Sequence, residues 1–294
     1  MIKLATINIQ VLRFMYRFRY FRNLFLYDLS RIERAPDSRI HSIAVTQVKT
    51  PDAPIKQTMT GRFQGLDYFL SGLLCKSRQY AVHDVAVSNG VTSMELYNVL
   101  AKAGFTFSMT ISDRYSVLRL YKVLGIPLMC NQQGEFIYAN LAGIACMPDL
   151  SWLFFFSKGA GLILRSVLRA KLWAGLAFSS EEVSLVYREV RSMVDEGKIS
   201  YINYDVFTTE LLDLFDVVRC MNLLNKDYFS PEQISCAIRN MSRSLREEGI
   251  LQIGRTYSDG THRTSFYVRN GGQIKIVNRL NDGFPDFWSD SIQL

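Results

Sequence analysis

From residue 80 onward, short apolar runs bounded by turn residues alternate with segments of helical period. The apolar runs Tyr80–Val87, Thr106–Ile111, Lys198–Val206, Phe215–Met221 and Ile250–Thr256 predict strands. Between them, Thr92–Ala103 and Tyr115–Leu124 read as helices. A third helix opens at Ser179-Ser180-Glu181-Glu182 and stops at Gly197, and a fourth runs from Ser230-Pro231 to Gly249. Serine caps both, and proline fits the first helical position of the fourth. Pro127–Ala139 predicts a hairpin around Asn131-Gln132-Gln133-Gly134, and Arg263–Val268 with Gln273–Asn278 another around Asn270-Gly271-Gly272. Five strands alternating with helices and closed by a hairpin predict an α/β fold, its sheet mostly parallel with an antiparallel strand near one edge.

The pattern changes before residue 80. Residues 11–34 predict a helix in which Phe14, Phe18, Phe21 and Phe25 share one arc and Tyr16, Tyr20 and Tyr27 another. Residues 35–60 carry three of the seven prolines and few large apolar side chains, which predicts a linker, and 62–78 a short helix. The expected division is therefore an N-terminal basic aromatic helix and linker over 1–60 and a main domain over 61–294, the latter interrupted by an apolar insert at 140–178.

Charge sharpens this division. The net charge is +7, with a surplus of five positive charges in residues 1–35 and four in 150–180, so the rest of the chain is slightly acidic. Both basic segments are apolar as well, yet their cations divide them into pieces too short to span a bilayer. They suit a helix docked on the main domain, or one lying on a membrane surface. The expected location is cytoplasmic, with peripheral membrane contact as a variant. Five scattered cysteines without a CxxC pair point to buried thiols in a reducing setting. Three dispersed histidines give no metal site.

The chemistry-bearing stretch is Ala81 to Asp113: a strand ending in Asp84, a turn of small residues, a helix, and a second strand, Phe107 to Ile111, that ends just before Asp113. Such a turn lets a ligand approach the backbone, and the acid at the end of the second strand can grip a ribose. Asp205 and Asn222 also lie near strand ends, where ligands sit in an open parallel sheet. Asp216 opens its strand at the opposite end and reads as structural. His83, inside a buried strand, reads as a core histidine, and Cys220 as a small apolar group.

These residues resemble the class I S-adenosylmethionine-dependent methyltransferases. The first motif of that family appears as Asp84-Val-Ala86-Val-Ser88-Asn-Gly90, in which Ala86 and Ser88 stand at two of the three glycine positions. The segment Phe215–Gly254 is similar to the chemotaxis-receptor methyltransferases in its Cys-x-Asn-x-Leu and Tyr-Phe pairs, although Glu247-Glu248-Gly249 replaces their Pro-Gly-Gly turn. The resemblance covers roughly residues 80–280. It implies a Rossmann-like three-layer sandwich with a seven-stranded sheet and S-adenosylmethionine as cofactor. Asp84, Ser88, Gly90, Asp113, Asp205, Val206 and Asn222 would bind that cofactor, with Asn222 also positioning the acceptor.

The implied activity is methyl transfer to a small-molecule or lipid-like acceptor. No general base stands out, which favours a carboxylate acceptor, already nucleophilic when ionised, or a thiol. The alternative is an inactive methyltransferase-fold protein that uses its basic aromatic segments to bind a partner or membrane. Nucleic acid fits less well, because Asn/Asp-Pro-Pro-Tyr is missing after the fourth strand. Self-association through the apolar insert is the remaining partner expectation.

Overall fold

The computed structural model describes residues 32–33, 35, 37–46, 58–123, 125–132, 134–141, 144–146, 155–173, 180–257, 259–284 and 291–293. Most of the expected N-terminal helix and the Trp152–Phe154 part of the insert lie outside the described residues. The chain divides into two compact units, one of residues 1–56 with 117–185 and one of 57–116 with 186–294. Where the sequence suggests boundaries at 60, 140 and 178, the units divide at 56/57, 116/117 and 185/186.

The second unit holds β1 (Gln79–Val85), β2 (Thr106–Asp113), β8 (Ile199–Asn203), β9 (Phe215–Met221), β10 (Leu245–Thr256), β11 (His262–Asn270), β12 (Gln273–Leu280) and β13 (Ser291–Gln293). They form one sheet in the order β13-β12-β11-β10-β9-β1-β2-β8. The five strands from β10 to β8 in that order run parallel, and β11, β12 and β13 add antiparallel. Seven of these strands are those the sequence leads one to expect, and the three-residue β13 adds an eighth at the edge.

Helices cover both faces. On one face α2 (Gln64–Gly72), α3 (Val91–Lys102) and α5 (Arg188–Asp195) bury Leu70, Leu96, Leu100 and Val190 against Tyr80, Val82, Met109, Ile111 and Val217. On the other, α6 (Pro231–Arg243) packs Ile234, Ala237, Ile238 and Met241 on Val85, Val218, Cys220 and Leu251. The i, i+3, i+4, i+7 spacing of that α6 stripe is what makes it a helix with one wet face. A capping box starts it: Gln233 N donates to Ser230 Oγ at 3.3 Å, and Ser230 N donates to Gln233 Oε1 at 2.9 Å. Such a cap contributes about 1 kcal/mol. The fold is thus a Rossmann-like three-layer sandwich.

The strand order fixes where a ligand can enter. From β1 the chain moves outward to β2 and β8, then returns to the other side of β1 to build β9 and β10. The direction reverses between β1 and β9, so a crevice opens beyond their carboxyl ends.

The first unit carries β3 (Val117–Val123), β4 (Ile126–Cys130), β5 (Phe136–Leu141), β6 (Ile144–Cys146) and β7 (Ser180–Ser184), with α1 (Ser38–Val45) and α4 (Phe155–Trp173). Its antiparallel sheet has the order β6-β5-β4-β3-β7. Here several expectations are corrected. Tyr115–Leu124 forms no helix, because Leu118 and Leu120 point into one cluster with Met129, Ile137 and Val183 while Tyr121 packs oppositely with Leu128 and Cys130. That is a period of two. Ser180–Ser184 pairs with β3 as a strand, and the helix expected from Ser179 begins only at Arg188. Residues 38–45, expected as linker, are helical and capped by Asp37, which accepts from Ile40 N at 2.8 Å. The hairpin around Asn131 forms as expected. In the second unit, α6 ends at Arg243 rather than Gly249, since fully buried Leu245 already pairs with Phe215 and a register shift follows before Ile250.

Among the described residues, no helix is long and apolar enough to cross a membrane.

Candidate functional site

A cleft enclosing about 320 Å³, solvent included, opens at the predicted crevice. Its lining comes from the end of β1 and the turn after it (Asp84 to Ser88), from Met221 and Asn222 at the end of β9, and from Thr58 and Phe63 ahead of α2. Arg219 forms part of its floor.

The turn between β1 and α3 keeps the backbone of a glycine-rich loop with only one glycine in it. Ala86, Ser88 and Gly90 have φ of 59°, 61° and 79°. The left-handed region costs a residue with a Cβ about 1–2 kcal/mol, and such strain persists only where the surroundings impose it. At Gly90 a Cβ would stand 2.8 Å from Val190 Cγ1, so packing as well as φ requires glycine. Ser88 is held by Asp113, whose Oδ2 accepts from Ser88 N at 2.7 Å while Oδ1 accepts from Tyr115 N at 2.8 Å. Asn89 Oδ1 accepts from Thr58 Oγ1 at 3.0 Å, fastening the loop to the segment ahead of α2. Ser88 lines the cleft, and its Oγ is buried without a hydrogen-bond partner.

Across the cleft, Asn222 also has positive φ, at 61°. Its Oδ1 accepts from Thr256 N at 2.6 Å, which leaves the Nδ2 donor buried and unpartnered. Two residues that line one small cleft thus each carry a buried polar atom without a partner. Such a group is destabilising by about 1–3 kcal/mol, so a polar ligand reaching them would recover what the protein alone leaves unmet.

Beneath lies a charge cluster that the sequence reading did not identify. Arg219 is fully buried on β9 and directly opposite Asp84 in register. Its Nε donates to Asp84 Oδ1 at 2.9 Å and its Nη2 to Asp84 Oδ2 at 2.6 Å. Nη2 also reaches the Thr92 carbonyl at 3.0 Å, and Nη1 pairs with the Asp67 carboxylate on α2. Ser93 Oγ adds a 2.6 Å bond to Asp84 Oδ2. Burial opposes the charge on Arg219, but Asp84 and then Asp67 outweigh it and hold its pKa above the usual value. Burial pushes Asp67 up to about 6, with Arg219 pulling the other way. The available signal was a single arginine inside Phe215–Met221, a strand buried at every position.

The remaining expected site residues are placed less centrally. Asp205 follows β8, where its Oδ1 accepts from Phe207 N at 3.0 Å and its Oδ2 lies 3.4 Å from Arg114 Nε. Val206 is buried in the core, and its carbonyl accepts from Asn240 Nδ2 at 2.9 Å. Neither lines the cleft, whereas Asp84, Ser88 and Asn222 do. Asp113 and Gly90 shape it from behind through Ser88 and the turn. His83 is a core residue: its Nε2 is 2.8 Å from Ser112 Oγ, its ring lies against Phe215, and burial lowers its pKa to about 4. Cys220 is buried, with its thiol pKa pushed up. Asp216 is structural, accepting from Ala81 N at 2.7 Å and pairing with Arg246 at 3.0 Å. No group of metal-ligating side chains occurs among the described residues.

Strand order, switch point and left-handed turn together define a Rossmann-like α/β domain with a polar cleft at its switch point. No family model and no curated protein matches the chain. Solved structures do match. The CMeT domain of the citrinin polyketide synthase is 12% identical with a TM-score of 0.34, covering 65% of this chain and 34% of that one. Phosphoethanolamine N-methyltransferase 1 of Haemonchus contortus, solved with phosphoethanolamine and S-adenosylhomocysteine, is 12% identical with a TM-score of 0.34, covering 78% and 31%. An S-adenosylmethionine-dependent methyltransferase from Mesorhizobium loti is 9% identical with a TM-score of 0.31, covering 65% and 53%. The chain spans less than two thirds of the length of each, and the likeness is one of fold.

Proposed function

We propose that the chain is an S-adenosylmethionine-dependent methyltransferase acting on a small-molecule acceptor. The observation that carries this reading is the β1–α3 turn. It holds three left-handed residues at the switch point, ties one of them to the acid ending β2, and lines, together with Asn222, a cleft whose Ser88 Oγ and Asn222 Nδ2 are buried without partners.

The donor set suits the proposed cofactor. Asp84 offers negative charge at the floor for an ammonium group, though Arg219 and Ser93 already engage both its oxygens. Ser88 Oγ and Asn222 Nδ2 suit a carboxylate. Asp113, which accepts from Ser88 N and Tyr115 N behind the turn, is the acid for ribose hydroxyls in this reading. Asp205 and Val206 would take the adenine at the outer edge. When bound, the cofactor supplies an activated methyl group. The protein's part is to hold donor and acceptor in line and to keep water out of the cleft. The narrower likeness to the chemotaxis-receptor enzymes rests on the Phe215–Gly254 segment, whose expected glycine turn is here the strand start at Leu245.

A second reading has its own observation. Neutralisation of Asp84 by Arg219 leaves less free charge for a cofactor ammonium, as a binding protein that has lost catalysis would have. Calorimetric titration with S-adenosylmethionine and S-adenosylhomocysteine, beside an Asp113→Asn variant, separates the two. Saturable binding of both ligands, weakened about tenfold or more in the variant, supports the enzyme. A folded protein that binds neither has lost the cofactor site and sinks it.

A further inference from the structure

Packing accounts for only one face of α4. Its stripe of Ala160, Leu164, Val167 and Leu168 lies against Tyr121, Leu128 and Cys130 of the antiparallel sheet. The i, i+4, i+7, i+8 spacing is that of a helix docked along one side. The other side of such a helix is ordinarily polar and mixed in charge. Here it carries Leu162, 45% exposed, and Ile163, 65% exposed. Residues 150–180 hold Lys158, Arg165, Arg169 and Lys171 without one acid. At 3.6 residues per turn Lys158, Arg165, Arg169 and Leu162 fall within an arc of about 60°, and Ile163 stands about 100° further round. Arg169 is exposed, with Lys158 and Arg165 half-buried.

This face lacks a counter-charge within the chain. Among the described residues Lys158, Arg165 and Arg169 pair with no carboxylate. The other cation-rich segment, residues 1–35, has a surplus of five positive charges and cannot neutralise it. Ser166, on the same side, donates its hydroxyl to the Leu162 carbonyl at 2.9 Å and so satisfies itself on its own helix. The cations call for an anionic partner, and the exposed leucine and isoleucine for one with apolar depth. A bilayer with anionic headgroups offers both, because long cationic side chains keep their charge among the headgroups while apolar ones enter the acyl boundary. An acidic polypeptide offers the charge alone.

We propose that the outer face of α4 docks on the surface of an anionic lipid bilayer, with Lys158, Arg165 and Arg169 among the headgroups and Leu162 and Ile163 at the acyl boundary. The inference is independent of the methyltransferase reading, since α4 belongs to the first unit and the cleft to the second. Its test needs no cofactor.

The experiment is co-sedimentation of the full chain with vesicles of phosphatidylcholine, alone or with roughly a third phosphatidylserine, at about 0.1 M salt. The expected result is binding to the anionic vesicles only. Arg165→Glu with Arg169→Glu should weaken it about thirtyfold or more at an unchanged melting temperature, since each cation at such a surface accounts for about fivefold. Arg169→Glu alone, at the exposed position, provides the same reading at about fivefold or more should the pair fold poorly. Ile163→Ser should weaken binding severalfold. Lys102→Glu with Lys275→Glu, both exposed on the second unit, changes the net charge equally and should keep most of the binding. An equal loss in that control pair would overturn the proposal by assigning binding to net charge. Undiminished binding by the α4 variants, Ile163→Ser included, would overturn it as well. Retention on polyglutamate with none on vesicles would replace the bilayer by an acidic polypeptide.

Discussion

His83 and Asp84 are neighbours on one strand, yet they lie in opposite halves of the molecule's interior. His83 faces the layer with Tyr204 and Phe215, where burial lowers its pKa to about 4 and keeps it neutral. Asp84 faces α2 and α3 and is paired with the Arg219 guanidinium. One face of the sheet thus solves burial by neutralising its polar group, the other by pairing ions. The first solution is inexpensive and inert. The second is vulnerable, because removing one partner strands the others, and only it borders the cleft. The difference teaches where to look for function: on the face where charge has been retained despite its desolvation.

The largest expected effect comes from breaking that ionic face. Arg219→Met leaves Asp67 and Asp84 buried without their cation, and such a loss destabilises by about 3–5 kcal/mol. Against a typical domain stability of about 5–15 kcal/mol, that is roughly a fifth or more. Chemical denaturation of Arg219→Met alone and with Asp67→Asn provides the check. The double variant should recover part of the loss, since one stranded carboxylate has become neutral. Equal stability of Arg219→Met and wild type would show the cluster to be unimportant.

The second effect sets the two faces against each other in pH. Asp67 has its folded pKa raised from 3.8 to about 6 by burial, so the folded state binds its proton more tightly than the unfolded chain does. Its contribution to stability therefore falls as pH rises from about 4 to about 6, and is flat above. His83 is the reverse. Its folded pKa is lowered from 6.5 to about 4, so the unfolded chain holds the extra proton and stability rises with pH across nearly the same window. Each amounts to about 3 kcal/mol, so the two slopes nearly cancel in the wild type. Asp67→Asn should unmask a stability that climbs from pH 4 to 6.5, and His83→Phe one that declines. Urea midpoints across that range decide it, and identical profiles for the two variants would contradict the assignment.

The same contrast explains what the sequence made legible. The parallel half of the fold could be read because each of its strands is an apolar run of its own, bounded by turn residues, as in Phe215–Met221. The antiparallel unit could not, since Val117–Val123 has a short mixed pattern whose period shows only once Leu118 and Leu120 have partners. Misreading β3 as helix removed the partner of β7, so Ser180–Ser184 was misread with it. At the site, strand-end acids were visible as a pattern. Arg219 was not, because its role depends on register with Asp84 and on Asp67 from a helix 152 residues away in sequence. The facing of Arg255 and Arg263 was equally hidden, since it exists only after β10 and β11 pair.

The smallest effect, and the one that best separates stability from function, lies where the two faces end at the β1–α3 turn. Ala86 and Ser88 occupy left-handed conformations at φ of 59° and 61°. Glycine there removes about 1–2 kcal/mol of strain but returns about 0.4–1 kcal/mol of entropy to the unfolded chain. Ala86→Gly should therefore stabilise the protein by about 0.5–1 kcal/mol and leave ligand binding intact. Ser88→Gly should stabilise it similarly or more, because it also deletes a buried unpartnered hydroxyl. Yet Ser88 lines the cleft and carries a polar group that Ala86 lacks, so Ser88→Gly should weaken S-adenosylmethionine binding severalfold where Ala86→Gly does not. Melting curves and calorimetry on the two variants measure both quantities. Were Ser88→Gly to gain stability and lose no affinity, the orphaned hydroxyl would be a defect of the turn and not part of its site. The case for a ligand between Ser88 and Asn222 would then have to stand on Asn222 alone.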